Sequence, residues 1–288
     1  MPDLGPSVDL VFCSMNSPEA EFEARVRAAA SAGYTGIGLH SRHRVKALAE
    51  GRTDADLRAI LDDHGVAVVE LEALSGWSCE DEAELVAARD REEEIYQLAD
   101  AVGGRHILVA SMNLSGPREL MVERFAAICD RAAEHGLLIA FEFLPWTRVP
   151  DLAAAQQVVE LAGRPNGGIE LDSWHFYRGS ASMDQLLTVP PELVVALQLD
   201  DALLTGDGTL LDQTWERLLP GQGELPLVEF LQALALRGID APLGVEIISS
   251  ELAAMPVARC AELTAEAMRA VLREAFPAAD PASARGRS

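Results

Sequence analysis

One phrase recurs along the chain: an amphipathic helical segment, a glycine near its end, then four to six apolar residues. It is seen in EARVRAAASAGYTGIGLH, DLRAILDDHGVAVVELE, FAAICDRAAEHGLLIAFEF and EFLQALALRGIDAPLGVEI. Glycine suits the left-handed position that closes a helix, and the runs that follow are too short for helices and right for buried strands. Candidate strands fall near 8–13, 35–39, 66–71, 106–110, 137–142, 168–172, 194–199 and 243–247, eight in all. Strands alternating with helices imply parallel pairing through right-handed crossovers, and eight such units close into a (β/α)8 TIM barrel. An open doubly wound sheet is the alternative. It would use fewer units and carry a glycine-rich phosphate loop after the first strand, where this chain has CSMNSPEAEF.

A barrel of this kind takes about 250 residues, so one domain accounts for nearly all of the 288. Residues 1–275 are expected to form that domain and its active site. Residues 276–288, rich in Pro, Ala, Ser and Arg and lacking periodicity, are expected to be a disordered tail. A hydrophobic fraction of 49% supplies a sizeable core, yet no stretch approaches the roughly 20 apolar residues of a membrane span. The N-terminus lacks the basic start and apolar segment of a secretory signal, so a cytoplasmic location and no membrane partner are expected. Cys13, Cys79, Cys129 and Cys260 show no metal-binding spacing and read as buried, reduced thiols. The net charge of −23, from 46 acids against 23 bases, repels a phosphate backbone and argues against nucleic acid as a partner. Lys46 is the sole lysine and closes no apolar run, which disfavours a Schiff-base mechanism.

Glu142, Asp172, Gln198 and Glu246 sit at the ends of four apolar runs, LLIAFE, GGIELD, VVALQL and APLGVE. In a (β/α)8 barrel the carboxyl ends of the strands carry the active site, so these four side chains would converge. Each alone could cap the following helix or pair with an arginine. Together they place three carboxylates in one water-poor pocket, which calls for a cation. Every donor is oxygen, which favours Mn2+ or Mg2+ over zinc and leaves two octahedral positions for neighbouring substrate oxygens. His175 follows Asp172 in Asp-Ser-Trp-His and is either within reach of substrate or a plain helix-start residue. Arg217 opens Arg-Leu-Leu-Pro-Gly-Gln-Gly-Glu, which either presents a cation to substrate or is an ordinary turn. Trp77, Phe143, Trp146 and Phe176 flank strand ends and either wall the pocket or pack in the core. His64 and His135 precede glycines at helix ends and read as structural, while His40 and His43 follow the second strand without a specified role.

With these residues in place, the chain over roughly 8–272 resembles the xylose isomerase-like TIM-barrel superfamily, which includes tagatose 3-epimerase, hydroxypyruvate isomerase, inosose dehydratase and 3-dehydroshikimate dehydratase. The resemblance implies one divalent metal held by Glu142, Asp172, Gln198 and Glu246, with His175 and Arg217 contacting substrate. Sugar epimerases of this type usually have histidine where this chain has Gln198, and glutamine there resembles some 3-dehydroshikimate dehydratases. Asp200, on the same strand face two residues on, is the substitute donor.

The expected reaction is proton abstraction beside a metal-held carbonyl of a keto-sugar, sugar phosphate or cyclic polyol. It passes through an enediolate, with Glu142 and Glu246 as base and acid and Trp146 lining the substrate. Return of the proton gives epimerisation or isomerisation, and loss of a β-hydroxyl gives dehydration, so a lyase is the alternative. An endonuclease would need several histidines and a basic surface. A non-catalytic ligand-binding barrel, and assembly into a homo-oligomer, stay open.

Overall fold

The computed structural model describes residues 9–180 and 182–277. Eight strands pair in sequence order and close: β1 (Leu10–Phe12), β2 (Gly36–His40), β3 (Ala67–Leu74), β4 (His106–Ala110), β5 (Leu138–Glu142), β6 (Gly167–Asp172), β7 (Val194–Leu199) and β8 (Leu243–Val245). All pairings are parallel, including β1 with β8, so the molecule is a single-domain (β/α)8 TIM barrel. The helices run outside it. Phe22–Ala32 and Val257–Ala275 pack together, and beside them the buried Tyr34 hydroxyl donates to Thr264 Oγ1 at 2.8 Å. The anticipated helix-closing glycine is exemplified by Gly65, left-handed at φ +63° after the helix Asp54–His64. Most of the expected tail, from residue 278 onward, lies outside the described residues.

Alternation along each strand sorts the two faces. Outward residues such as Ile37, Leu39, Ile107, Phe141, Ile169 and Leu199 are fully buried against the helices in one continuous apolar cluster. Each contributes about 1.5–3 kcal/mol by leaving water. The inward set is different in kind. Leu108, Ala110 and Ala140 share the interior with Glu70, Glu72, His106, Glu170 and Gln198, all buried. Gly38 makes room for one of these, because a Cβ there would stand 2.1 Å from Glu72 Oε1 and 3.2 Å from the Cys13 backbone.

Two strands end two or more residues from the expected position. β3 runs to Leu74 instead of stopping at 71, which carries Glu72 into the barrel. β8 stops at Val245, short of 247, because the buried Asn16 side chain replaces a neighbouring strand there. Its Nδ2 donates to Val245 O at 2.7 Å and Cys13 O at 3.2 Å, while its Oδ1 accepts from Ile247 N at 2.7 Å.

Candidate active site at the barrel mouth

Glu142 and Asp172 end β5 and β6, Gln198 lies beside Asp172 in the β6–β7 register, and Glu246 follows the last residue of β8. All four are buried. Asp172 also caps the short helix Ser173–Arg178, its Oδ1 accepting from His175 N at 2.8 Å. This cap turns the imidazole back toward the strand ends, where His175 Nε2 lies 3.3 Å from Glu142 Oε1. Donor atoms of Glu142, Asp172 and His175 all lie within 4.8 Å of one another, so His175 stands among the atoms that could hold a metal.

Arg217 occupies the other side. Its Nη1 donates to Asp200 at 2.6 Å, Asp172 at 2.8 Å and Glu246 Oε2 at 3.1 Å, and its Nη2 lies 3.1 Å from His175 Nε2. The helix-cap and arginine-pair readings are thus both realised at Asp172, alongside its place in the cluster. One guanidinium does not offset four buried carboxylates. Burial alone would lower the Arg217 pKa, but Asp172, Asp200, Glu246 and Glu142 outweigh it and hold the group charged. Asp200 and Glu246 are instead pushed well above the carboxylate range, chiefly by burial.

The donor set suits a divalent cation on two counts. Negative charge exceeds positive within one buried cluster, and Gln198 Oε1 is buried with no hydrogen-bond partner. Its Nε2 is engaged, donating to Glu70 Oε1 at 3.2 Å. Asp200, the substitute donor, has both oxygens occupied, Oδ1 by Ser173 Oγ at 2.7 Å and Oδ2 by Arg217. Of the two β7 candidates, Gln198 therefore has the free oxygen.

Of the aromatic residues expected near strand ends, Trp146 reaches the site, half-buried, with its ring 5.6 Å from that of His175. Trp77 packs edge-on against Phe141 in the helix-facing layer, and Phe176 packs on Phe230. Phe143 is buried in the same core, since it shares the outward parity of Phe141. Trp174, not singled out from sequence, lies beneath the Arg217 guanidinium at 5.6 Å. His64 bonds back to Ile60 O within its own helix, and His135, at the end of the helix Arg118–Glu134, stacks on Tyr96 of the helix Glu82–Val102, so both are structural. All four cysteines are free and buried. No helix among the described residues is long and apolar enough to cross a membrane.

Sequence reasoning missed Glu70, Glu72, His106 and Glu170, although the alternation of VVELE and GIELD places their acids on the inward face. It also missed Asp201, whose carboxylate accepts from the backbone N–H of Ala202, Gly221, Gly223 and Leu225 and so fixes the loop behind Arg217.

Residues 26–275 match the family model for the xylose isomerase-like TIM barrel. The chain is 25% identical to the 3-dehydroshikimate dehydratase of Pseudomonas putida over 252 residues, which make up 86% of this chain and 39% of that protein. It therefore spans well under half the length of that relative. It is 23% identical over 254 residues to the inosose isomerase of Bacillus velezensis, covering 85% of this chain and 89% of that one. Among solved structures, IolI protein with a bound zinc atom superposes with a TM-score of 0.84 at 20% identity, covering 93% of this chain and 99% of that one. The chain belongs to the xylose isomerase-like TIM barrel family.

Proposed function

We propose that the protein is a divalent-metal-dependent isomerase or epimerase of keto-sugars, sugar phosphates or cyclic polyols. The reading rests on one observation above all: Glu142, Asp172 and His175 gather within 4.8 Å, with a partnerless Gln198 oxygen on the strand next to Asp172. Glu142, Asp172, Gln198 and Glu246 would hold the metal, and the oxygen-rich set favours Mn2+ or Mg2+. Its role when bound is to polarise a substrate carbonyl and offset developing negative charge.

The remaining chemistry belongs to the side chains. Glu142 and Glu246 take and return the proton on the carbon between two substrate oxygens. Return to the opposite face inverts that carbon, and return to the neighbouring carbon interconverts aldose and ketose. His175, whose backbone N–H is held by Asp172 and whose Nε2 lies 3.3 Å from Glu142 Oε1, orients a substrate hydroxyl, and Trp146 shields that side from water. The inosose isomerase match over most of both chains is consistent with a cyclic polyol.

A dehydratase is the second reading, favoured by the match to 3-dehydroshikimate dehydratase. It requires the same proton removal and then loss of a β-hydroxyl. A substrate carboxylate would have to compete for Arg217 with three carboxylates already bonded to its Nη1, which favours an uncharged polyol.

Keto-sugars, inososes and dehydroshikimate should be assayed in deuterium oxide with added Mn2+, following solvent deuterium at carbon and loss of water separately. Glu142→Gln and Glu246→Gln are each expected to lower turnover by about 10²–10⁴-fold with the fold retained. Wild-type rates in either variant refute the assignment.

A further inference from the structure

The interior of the barrel below the proposed metal site carries a chain of polar contacts with no part in the reaction as described. Glu70, on β3, reaches across the barrel to Gln198, on β7, and accepts from its Nε2 at 3.2 Å and 3.4 Å. On its other side, Glu70 Oε2 lies 3.2 Å from His106 Nε2. Arg105 Nη1 stands 3.4 Å from His106 Nδ1 and can only donate, so Nδ1 accepts and the ring proton sits on Nε2, facing Glu70. Burial pushes the His106 pKa down to about 3, which keeps the ring neutral with that single proton. The carboxylate therefore receives two donors, one from below and one from Gln198.

An amide offers a metal either its oxygen or nothing, and a half turn about its last bond exchanges the two ends. Both Glu70 oxygens face Gln198 Nε2, at 3.2 Å and 3.4 Å, and Oε2 also faces the His106 Nε2 proton, so Glu70 meets both neighbours as an acceptor. Glu70 thus selects the Gln198 rotamer in which NH2 points down the barrel and Oε1, buried and without a partner, is the end left free. We propose that Glu70 is a positioning residue that locks the Gln198 amide with its oxygen presented to the metal, doing for a glutamine ligand what a carboxylate does for a metal-bound histidine. The inference rests on the metal centre proposed above.

Mn2+ binding, read from the free-ion electron paramagnetic resonance signal, tests it without any substrate. In Glu70→Gln the new amide has one acceptor oxygen for two donors, so its NH2 must oppose either His106 or Gln198. Mn2+ affinity is expected to fall about 10–100-fold, with circular dichroism and metal-free melting showing a folded barrel. Gln198→Ala should lower affinity comparably, and adding Glu70→Gln to it should cost less than about twofold more, because the contact through which Glu70 acts is already gone. If Glu70→Gln does not fold, Glu70→Asp keeps the carboxyl group, withdraws it by one methylene and predicts the same loss. Wild-type affinity in the Glu70 variants, or losses that multiply in the double variant, overturn the positioning role alone. Absence of Mn2+ binding by the wild-type chain overturns the metal centre and this inference together.

Discussion

Arg217 is the residue on which the site's charge balance turns. It is 2% exposed, and one nitrogen, Nη1, serves Asp172, Asp200 and Glu246. Removing one partner of a buried ion cluster leaves the others uncompensated, at a cost of about 3–5 kcal/mol. Arg217→Met should therefore destabilise the metal-free protein by about that much in urea unfolding, and saturating Mn2+ should recover part of the loss. A variant as stable as wild type in the presence of chelator would show that the carboxylates are held by something else. The strand-end acids were legible because a polar residue closing an apolar run breaks the pattern of a buried strand, and Arg217 because it opens a Pro-Gly stretch beyond the seventh strand. Glu70 and Glu170, inside their runs, and His106, at the start of its own, break that pattern too, but local reading takes them for part of the strand and only the inward parity, position by position, exposes them.

At the scale of elements, the placement of Glu246 depends on a side chain from the opposite end of the chain. Asn16, in the turn after β1, brackets Glu246 by bonding Val245 O and Ile247 N on either side of it. β8 is only three residues long, so this amide does the work of the strand pairing that is missing beyond Val245. Asn16→Ala leaves the buried Ile247 N–H unpaired, at a cost of about 1–3 kcal/mol, and leaves Val245 O with Cys13 N at 3.4 Å as its remaining donor. Urea unfolding should show a loss of about 1–3 kcal/mol on the same basis, and Mn2+ affinity should drop with it as Glu246 loses its fixed backbone. A stable variant with unchanged affinity would mean that β8 holds its own end. Strand positions were readable to within a few residues because each apolar run is local. The early stop of β8 was not, since the group that causes it lies 229 residues away in sequence.

For the whole molecule, the order of eight strands followed from repetition alone: identical units that each bury one face have few ways to close. What repetition cannot convey is the content of the interior. A barrel of this kind commonly fills its centre with layers of branched apolar side chains, whereas this one places Glu70, Glu72, Glu170, Asp172 and Asp200 in a buried interior within a chain of net charge −23. Burial raises the pKa of Glu70, Glu72, Glu170 and Asp200, so the folded state carries an electrostatic cost that a cation at the proposed centre would relieve. A ligand that binds the folded state and not the unfolded chain stabilises it by about 2.7 kcal/mol at one hundred times its dissociation constant. For a domain of this size each kcal/mol moves the melting temperature by roughly 2–4 °C. Mn2+ at that excess should thus raise the melting temperature by about 5–10 °C, EDTA should reverse the rise, and Glu246→Gln should reduce it by removing one of the proposed ligands. A melting temperature indifferent to both Mn2+ and EDTA would leave the buried carboxylates to be satisfied by protons instead, and the proposed centre would fall with it.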